Sequence, residues 1–187
     1  MLRRSLLSLP ALALLPTRLY AAVDGTRRPL PRVGADQDRA GKERAIGLSE
    51  TRYKVLTSDS GGDLFVLEQL NRRKGGPSRH LHHHEDELFF CLEGEYIVEV
   101  GEERSHLKPG DCVLGPRGIP HVWAFAGGPI GRMLISFAPA GKMEAFFGQR
   151  ESRGIKPGQY ASTKEDAALL HEFGMELVGP PIAPDTF

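Results

Sequence analysis

Neither sign of charge is in excess: Lys and Arg number 24, as do Asp and Glu. A balanced chain makes no electrostatic case for nucleic acid or an anionic membrane as partner. Long apolar runs are missing as well. The nearest approach, Leu6 to Pro16, is too short to span a bilayer stably. Cysteine occurs only as Cys91 and Cys112, so an exported form has at most this one pair to join as a disulfide. The two read instead as small core residues, with strand alternation pointing Cys91 inward. No internal repeat or second domain is visible, and 187 residues suit one domain with a sizeable core.

Glycine (22) and proline (14) are abundant and spread along the chain, which suits many short strands joined by turns. Residues 1–22 differ from the rest. A basic start at Arg3 and Arg4, the apolar run, and small residues at Ala21 and Ala22 have the layout of a cleaved export signal. The arginine pair resembles a twin-arginine signal, which exports folded proteins. The expected location is therefore periplasmic or secreted. Residues 23–50 are polar and read as an arm or linker. Residues 51–140 read as β structure: "YKVLT" and "DLFVLEQL" around the turn "SDSGGD", then "ELFFCLEGEYIVEVGEE" as two strands hinged at Glu93-Gly94, then "DCVLGP", "HVWAFAG" and "RMLISFAP". In the tail, 141–187, "AGKMEAFFGQR" and "TKEDAALLHEFG" have helical spacing, with Thr163 and Asp166 as a capping pair and Gly174 as a stop. The expected fold is all-β, a sandwich or barrel followed by two short helices.

Four histidines fall within five residues, His80, His82, His83 and His84, followed by Glu85, Asp86 and Glu87. On a strand, His80, His82 and His84 share a face and His83 points away. Two imidazoles at i and i+2 can converge on one ion, with Glu87 entering from further on. Glu85 and Asp86 read as solvated, and His106 and His171 as surface residues.

The stretch resembles the first motif of the cupin superfamily: Gly, His-x-His, three or four residues, Glu, six residues, Gly. The fit is His80-x-His82, four residues, Glu87, six residues, Gly94. The competing register, His82-x-His84, leaves two residues before Glu87, although five residues separate Gly76 from His82 and only four separate Gly75 from His80. Glutamate spacing sets ligand geometry while the leading Gly shapes a turn, so the first register is preferred and His84 becomes a rim residue. The second motif is matched by Gly110, Pro116, Gly118 and His121, with Phe125 where Asn is usual. The motif also looks like that of quercetin-dioxygenase-like, single-domain cupins.

The resemblance implies a double-stranded β-helix (jelly-roll) barrel holding one divalent transition metal through His80, His82, Glu87 and His121. Three imidazoles and a carboxylate suit Fe, Mn, Ni, Co, Cu or Zn, and Fe is favoured for oxygenation. Open coordination positions would admit a small-molecule substrate and dioxygen. Glu87 either accepts a substrate proton or only balances charge. Trp123 and Phe125, on the strand face of His121, either line the pocket or fill the core. The expected reaction is dioxygen-dependent oxidation of a small enolic, phenolic or diketone-like substrate. The alternatives are isomerase or lyase chemistry on a sugar or sugar acid, and a non-catalytic metal-bearing barrel. Cupin barrels also pair through edge strands, so a homodimer is expected.

Overall fold

Two long antiparallel strands, β5 (Asp86–Val100) and β8 (His121–Ala138), organise the domain. In the computed structural model, which describes residues 29–152 and 164–183, they pair from Asp86↔Ala138 to Val100↔His121. The export signal and Thr163, expected above, lie outside the described residues. The ladder shifts register between Cys91 and Tyr96, where Gly94 takes a left-handed φ of 78°. Such irregularities bend a strand without ending it. Hence each of the segments expected as two strands is one continuous, bent strand.

The two halves of the ribbon recruit different neighbours. Beside the end of β8 runs β3 (Phe65–Asn71), followed by β2 (Ser49–Val55) and β1 (Arg44–Ile46), while β7 (Cys112–Gly115) flanks the start of β5. Beside the other half run β6 (Glu103–Leu107) on β5 and β4 (His80–His82) on β8, with β9 (Met175–Leu177) outside β4. Every pairing is antiparallel.

Ordered pairing thus starts at Arg44, inside the segment read as a polar arm. The reason is local: Arg44 is buried, ion-paired with Asp38, and lies 3.9 Å over the Tyr53 ring. The helices α2 (Met143–Ser152) and α3 (Lys164–Glu172) follow the barrel, and a four-residue helix, α1 (Thr57–Ser60), occupies the first turn. Gly174, at φ 81°, follows α3 as expected of a stop. Met143, Phe146, Phe147, Leu169 and Leu170 join Phe65, Phe89 and Ile135 in one core cluster, so the helices share the barrel's interior. Among the described residues no helix is long and apolar enough to cross a membrane.

The cysteines separate. Cys91 is buried, but Cys112 is exposed and both are free. Cys112 pairs with Phe90, which alternation places on the outer face of β5, and cross-strand partners share a face. The expectation that both are core residues holds for Cys91 alone.

Candidate metal centre

His80 and His82 come from β4, Glu87 from the start of β5 and His121 from the start of β8. Direct pairing of His80 with His121 puts two imidazoles side by side, with ring centroids 4.9 Å apart. His82 stacks on His121 at 5.5 Å, with the ring planes 8° apart. One candidate ligand atom from each of His80, His82, Glu87 and His121 lies within 4.8 Å of all the others. Glu87 Oε2 is the focus: His121 Nε2 is at 2.9 Å, His82 Nε2 at 3.1 Å and His80 Nε2 at 4.0 Å. Gly115 leaves room for this, since a Cβ there would come within 3.0 Å of His121 Nδ1.

Backbone carbonyls orient two of the rings. His80 Nδ1 is 2.8 Å from Ser78 O, and His121 Nδ1 is 3.0 Å from Ile119 O. A carbonyl only accepts, so both Nδ1 atoms carry protons, and a neutral ring then turns an Nε2 lone pair toward the Glu87 carboxylate. Acceptors facing an acceptor repel unless a cation lies between them. His82 adds to this, since among the described residues its two ring nitrogens make no well-aligned hydrogen bond and face only the carboxylates of Glu85 and Glu87, although the side chain is buried. The donor set therefore fits a metal ion: three imidazole nitrogens and a carboxylate oxygen, buried and convergent.

Without metal, protons meet the same field. Burial and the neighbouring His121 and His82 push His80 down to about 3. Burial also opposes charging His82, but the carboxylates of Glu85 and Glu87 outweigh it and raise its pKa to about 9. Burial favours a neutral Glu87, yet His121 and His82 overcome this and hold its carboxyl far below the usual range.

A cavity of about 110 Å³ extends from the ligands, far more than the ~10–15 Å³ one water requires. His80, His82 and Glu87 border it, with Trp123, Ile135, Phe137 and Met143 among its apolar walls. Trp123 thus lines the cavity, but Phe125 does not. Phe125 points inward two residues further along β8, packs on Tyr96 at 5.5 Å and is core. His83 and His84 are exposed, and His83 faces Glu176 at 3.9 Å. His106 faces Glu95 at 2.9 Å, and His171 is also exposed.

One site residue departs from the sequence reading. Glu85 is 1 % exposed, and its Oε2 lies 3.5 Å from His82 Nδ1. Since β4 ends at His82 and β5 begins at Asp86, Glu85 sits in a turn outside the strand alternation. The turn folds Glu85 inward while Asp86 pairs outward with Arg117 at 2.9 Å. No local pattern marked Glu85; only the break between the strands hints at it.

A family model described as the cupin domain matches residues 67–137. Residues 67–137 have the cupin fold. Among solved structures the cupin fold recurs in KdgF from Halomonas sp., which is 21 % identical, with 58 % of this chain and 94 % of that chain covered and a TM-score of 0.50. An RmlC-like cupin from Shewanella frigidimarina is 19 % identical, over 61 % of this chain and 95 % of that one, with a TM-score of 0.48. At these identities the likeness is one of fold. No curated protein matches the chain. The barrel accounts for the placement of the ligands, with three strands bringing them together and His80, His82 and Glu87 bordering one cavity.

Proposed function

We propose that this cupin is a metal-dependent dioxygenase of the quercetin-dioxygenase-like kind, acting on a small enolic, phenolic or diketone-like substrate. The observation that carries the reading is the pairing of a three-histidine, one-glutamate site with a mainly apolar cavity. The arginine that borders the cavity, Arg150, faces Asp166 at 4.0 Å, which weakens the case for an acidic sugar. A neutral enol or phenol needs no such counter-charge.

His80, His82, His121 and Glu87 would hold the ion, with iron favoured and Mn, Ni, Co, Cu or Zn compatible with the same donors. Bound there, the metal would supply Lewis acidity toward the substrate oxygen and an electron path to dioxygen. Trp123 and Phe137 wall the substrate, and Met143 and Phe146 keep water from the reacting end. Glu87 takes the enol proton on one carboxylate oxygen as the substrate binds.

The test is oxygen uptake by the metal-loaded protein with a panel of flavonols and β-diketones. Uptake with at least one member is expected. No uptake, with turnover of a sugar or sugar acid instead, overturns the reading in favour of an isomerase or lyase. We also propose that residues 1–22 direct export and that two barrels pair through an edge strand. A fusion carrying Met1 to Ala22 should leave the cytoplasm, and replacing Arg3 and Arg4 by Lys should block a twin-arginine route. Sedimentation should give the mass of two chains.

A further inference from the structure

The cavity carries a second polar feature that the proposed chemistry does not use. Ser49 on β2 pairs with Asn71 on β3, and Gln69 points inward one alternation earlier on the same strand. All three are buried, as is Tyr96 on β5. They form one chain of hydrogen bonds. Tyr96 Oη donates to Asn71 Oδ1 at 3.0 Å, Asn71 Nδ2 donates to Ser49 Oγ at 2.7 Å, and Ser49 Oγ donates to Gln69 Oε1 at 3.2 Å. Gly131 makes room for the hydroxyl, since a Cβ there would come within 2.6 Å of Tyr96 Oη.

The direction of this chain decides what Gln69 offers. With both amides turned over, Gln69 would donate to Ser49, Ser49 to Asn71 and Asn71 to Tyr96, through the same heavy-atom positions. Tyr96 breaks the tie. Its ring is fully buried, and its hydroxyl has no partner among the described residues except Asn71. It must donate to Asn71 or keep an unsatisfied buried proton. Once it donates, Asn71 turns Nδ2 to Ser49, Ser49 gives its proton to Gln69 Oε1, and Gln69 keeps both N–H groups of Nε2 free. Neither has an acceptor among the described residues, and Ser49 and Gln69 both line the cavity.

Gln69 lies well away from the metal ligands. Phe65, four residues before it on β3, pairs with Phe137, which in turn pairs with Glu87. The offset is therefore ~13 Å along the sheet at ~3.3 Å per residue. We infer that Gln69 is a specificity-determining residue, its Nε2 donating to an acceptor oxygen at the end of the substrate remote from the metal. This rests on the proposed chelation of an enol or diketone at the four ligands, and it narrows the substrate to one bearing a carbonyl or ether oxygen at its far end. A substrate ending in bare hydrocarbon would bury the Gln69 donors unpaired, and a site built to hydrogen-bond discriminates against that.

The test uses the metal-loaded protein and two probes, benzoylacetone and its para-acetyl derivative, with binding followed by calorimetry. The parent should bind the acetyl compound at least about tenfold more tightly. Gln69→Met, close in volume, should bind both alike with metal content unchanged, and should melt somewhat lower because buried Ser49 loses its acceptor. If benzoylacetone binds but the parent shows no preference, or the preference survives in Gln69→Met, the role of Gln69 is overturned and the metal-site reading stands. If neither diketone binds, the chelation reading fails instead, and the side-chain amide resonances of Gln69 decide the orientation in isotope-labelled protein. In Ser49→Ala both Nε2 protons should shift only slightly and together if Oε1 faces Ser49, because the carbonyl and not an N–H loses its partner. A displacement showing a lost N–H donation would overturn the inference.

Discussion

Glu85 Oε2 stands 3.5 Å from His82 Nδ1, on the edge of the ring opposite the Nε2 that faces Glu87. A carboxylate in that place holds the proton on Nδ1 and leaves Nε2 as the lone pair for a metal, a support whose loss costs ~10–100-fold in metal affinity. His80 and His121 have backbone carbonyls in this role, so His82 is the ligand a side-chain substitution can unsettle. Glu85→Ala should weaken metal binding by about that factor, and Glu85→Gln by less, since its amide oxygen still accepts. Competition with a chelator of known affinity measures both. Unchanged affinity in Glu85→Ala would show that packing alone orients His82.

Gly141 should matter for the same reason. It takes a left-handed φ of 51°, and a Cβ on it would come within 1.7 Å of Glu85 Oε1. Gly141→Ala must displace the buried carboxylate as well as adopt a conformation that L-residues resist, at a cost of roughly 1–3 kcal/mol. Thermal unfolding should show the loss without metal, and chelator competition should show weakened binding as in Glu85→Ala. A variant with parental stability and affinity would contradict the close packing.

The histidine register gives a direct comparison. His80→Ala, His82→Ala and His121→Ala each remove a member of the cluster and should lower metal content at least about tenfold. His83→Ala and His84→Ala remove exposed rings and should leave it unchanged. Elemental analysis of purified protein decides. Full occupancy in His80→Ala with loss in His84→Ala would establish the other register.

The ligand cluster could be read from sequence because three of its members follow from spacing near one strand, and the fourth from a second short motif. The barrel could be read because its strands alternate and end at Gly or Pro. Features that depend on which strands meet, or where a strand stops, could not be read in this way. Alternation placed Phe125 on the inner face, but it pairs with Tyr96 and neither ring lines the cavity. Glu85 looked solvated beside Asp86 and Glu87 because nothing local shows that β4 ends three residues before it. Met175–Leu177 buttresses the histidine strand from the far end of the chain, and three residues carry too little periodicity to show it. Cys112 followed its cross-strand partner Phe90 to the outside.

The titration behaviour predicts a definite pH response in metal-free protein. His82 is raised to about 9 from an unfolded value near 6.5, so its contribution to stability is complete below pH 6.5 and is lost as pH rises through 9. His80 is lowered to about 3, so its contribution is present above pH 6.5 and is lost as pH falls toward 3. Between them these two sites place a stability maximum near pH 6.5. A metal must displace the His82 proton, so apparent affinity should rise with pH up to about 9. At pH 7.5 this site should release about one proton per ion bound. Calorimetry in buffers of different ionisation enthalpy counts the protons; zero released would show that His82 is neutral before the metal arrives.

Glu87 is where ligand and base can be separated. Its carboxylate is the atom group nearest to all three imidazoles, so removing its charge must weaken the site to some degree. Glu87→Gln keeps the size and one ligand oxygen but cannot accept a proton at working pH. With three histidines left, part of the metal should remain bound. If Glu87 takes the substrate proton, turnover per bound metal should fall ~100-fold or more, the usual scale of general-base loss. Glu87→Asp keeps the base with shorter reach and should fall between the two. If Glu87 only balances charge, Glu87→Gln should lose occupancy and keep its rate per metal. The deciding measurement is oxygen uptake at saturating substrate, divided by metal content for each variant. A normalised rate within about threefold of the parent would leave Glu87 as a ligand alone and assign the proton to another acceptor.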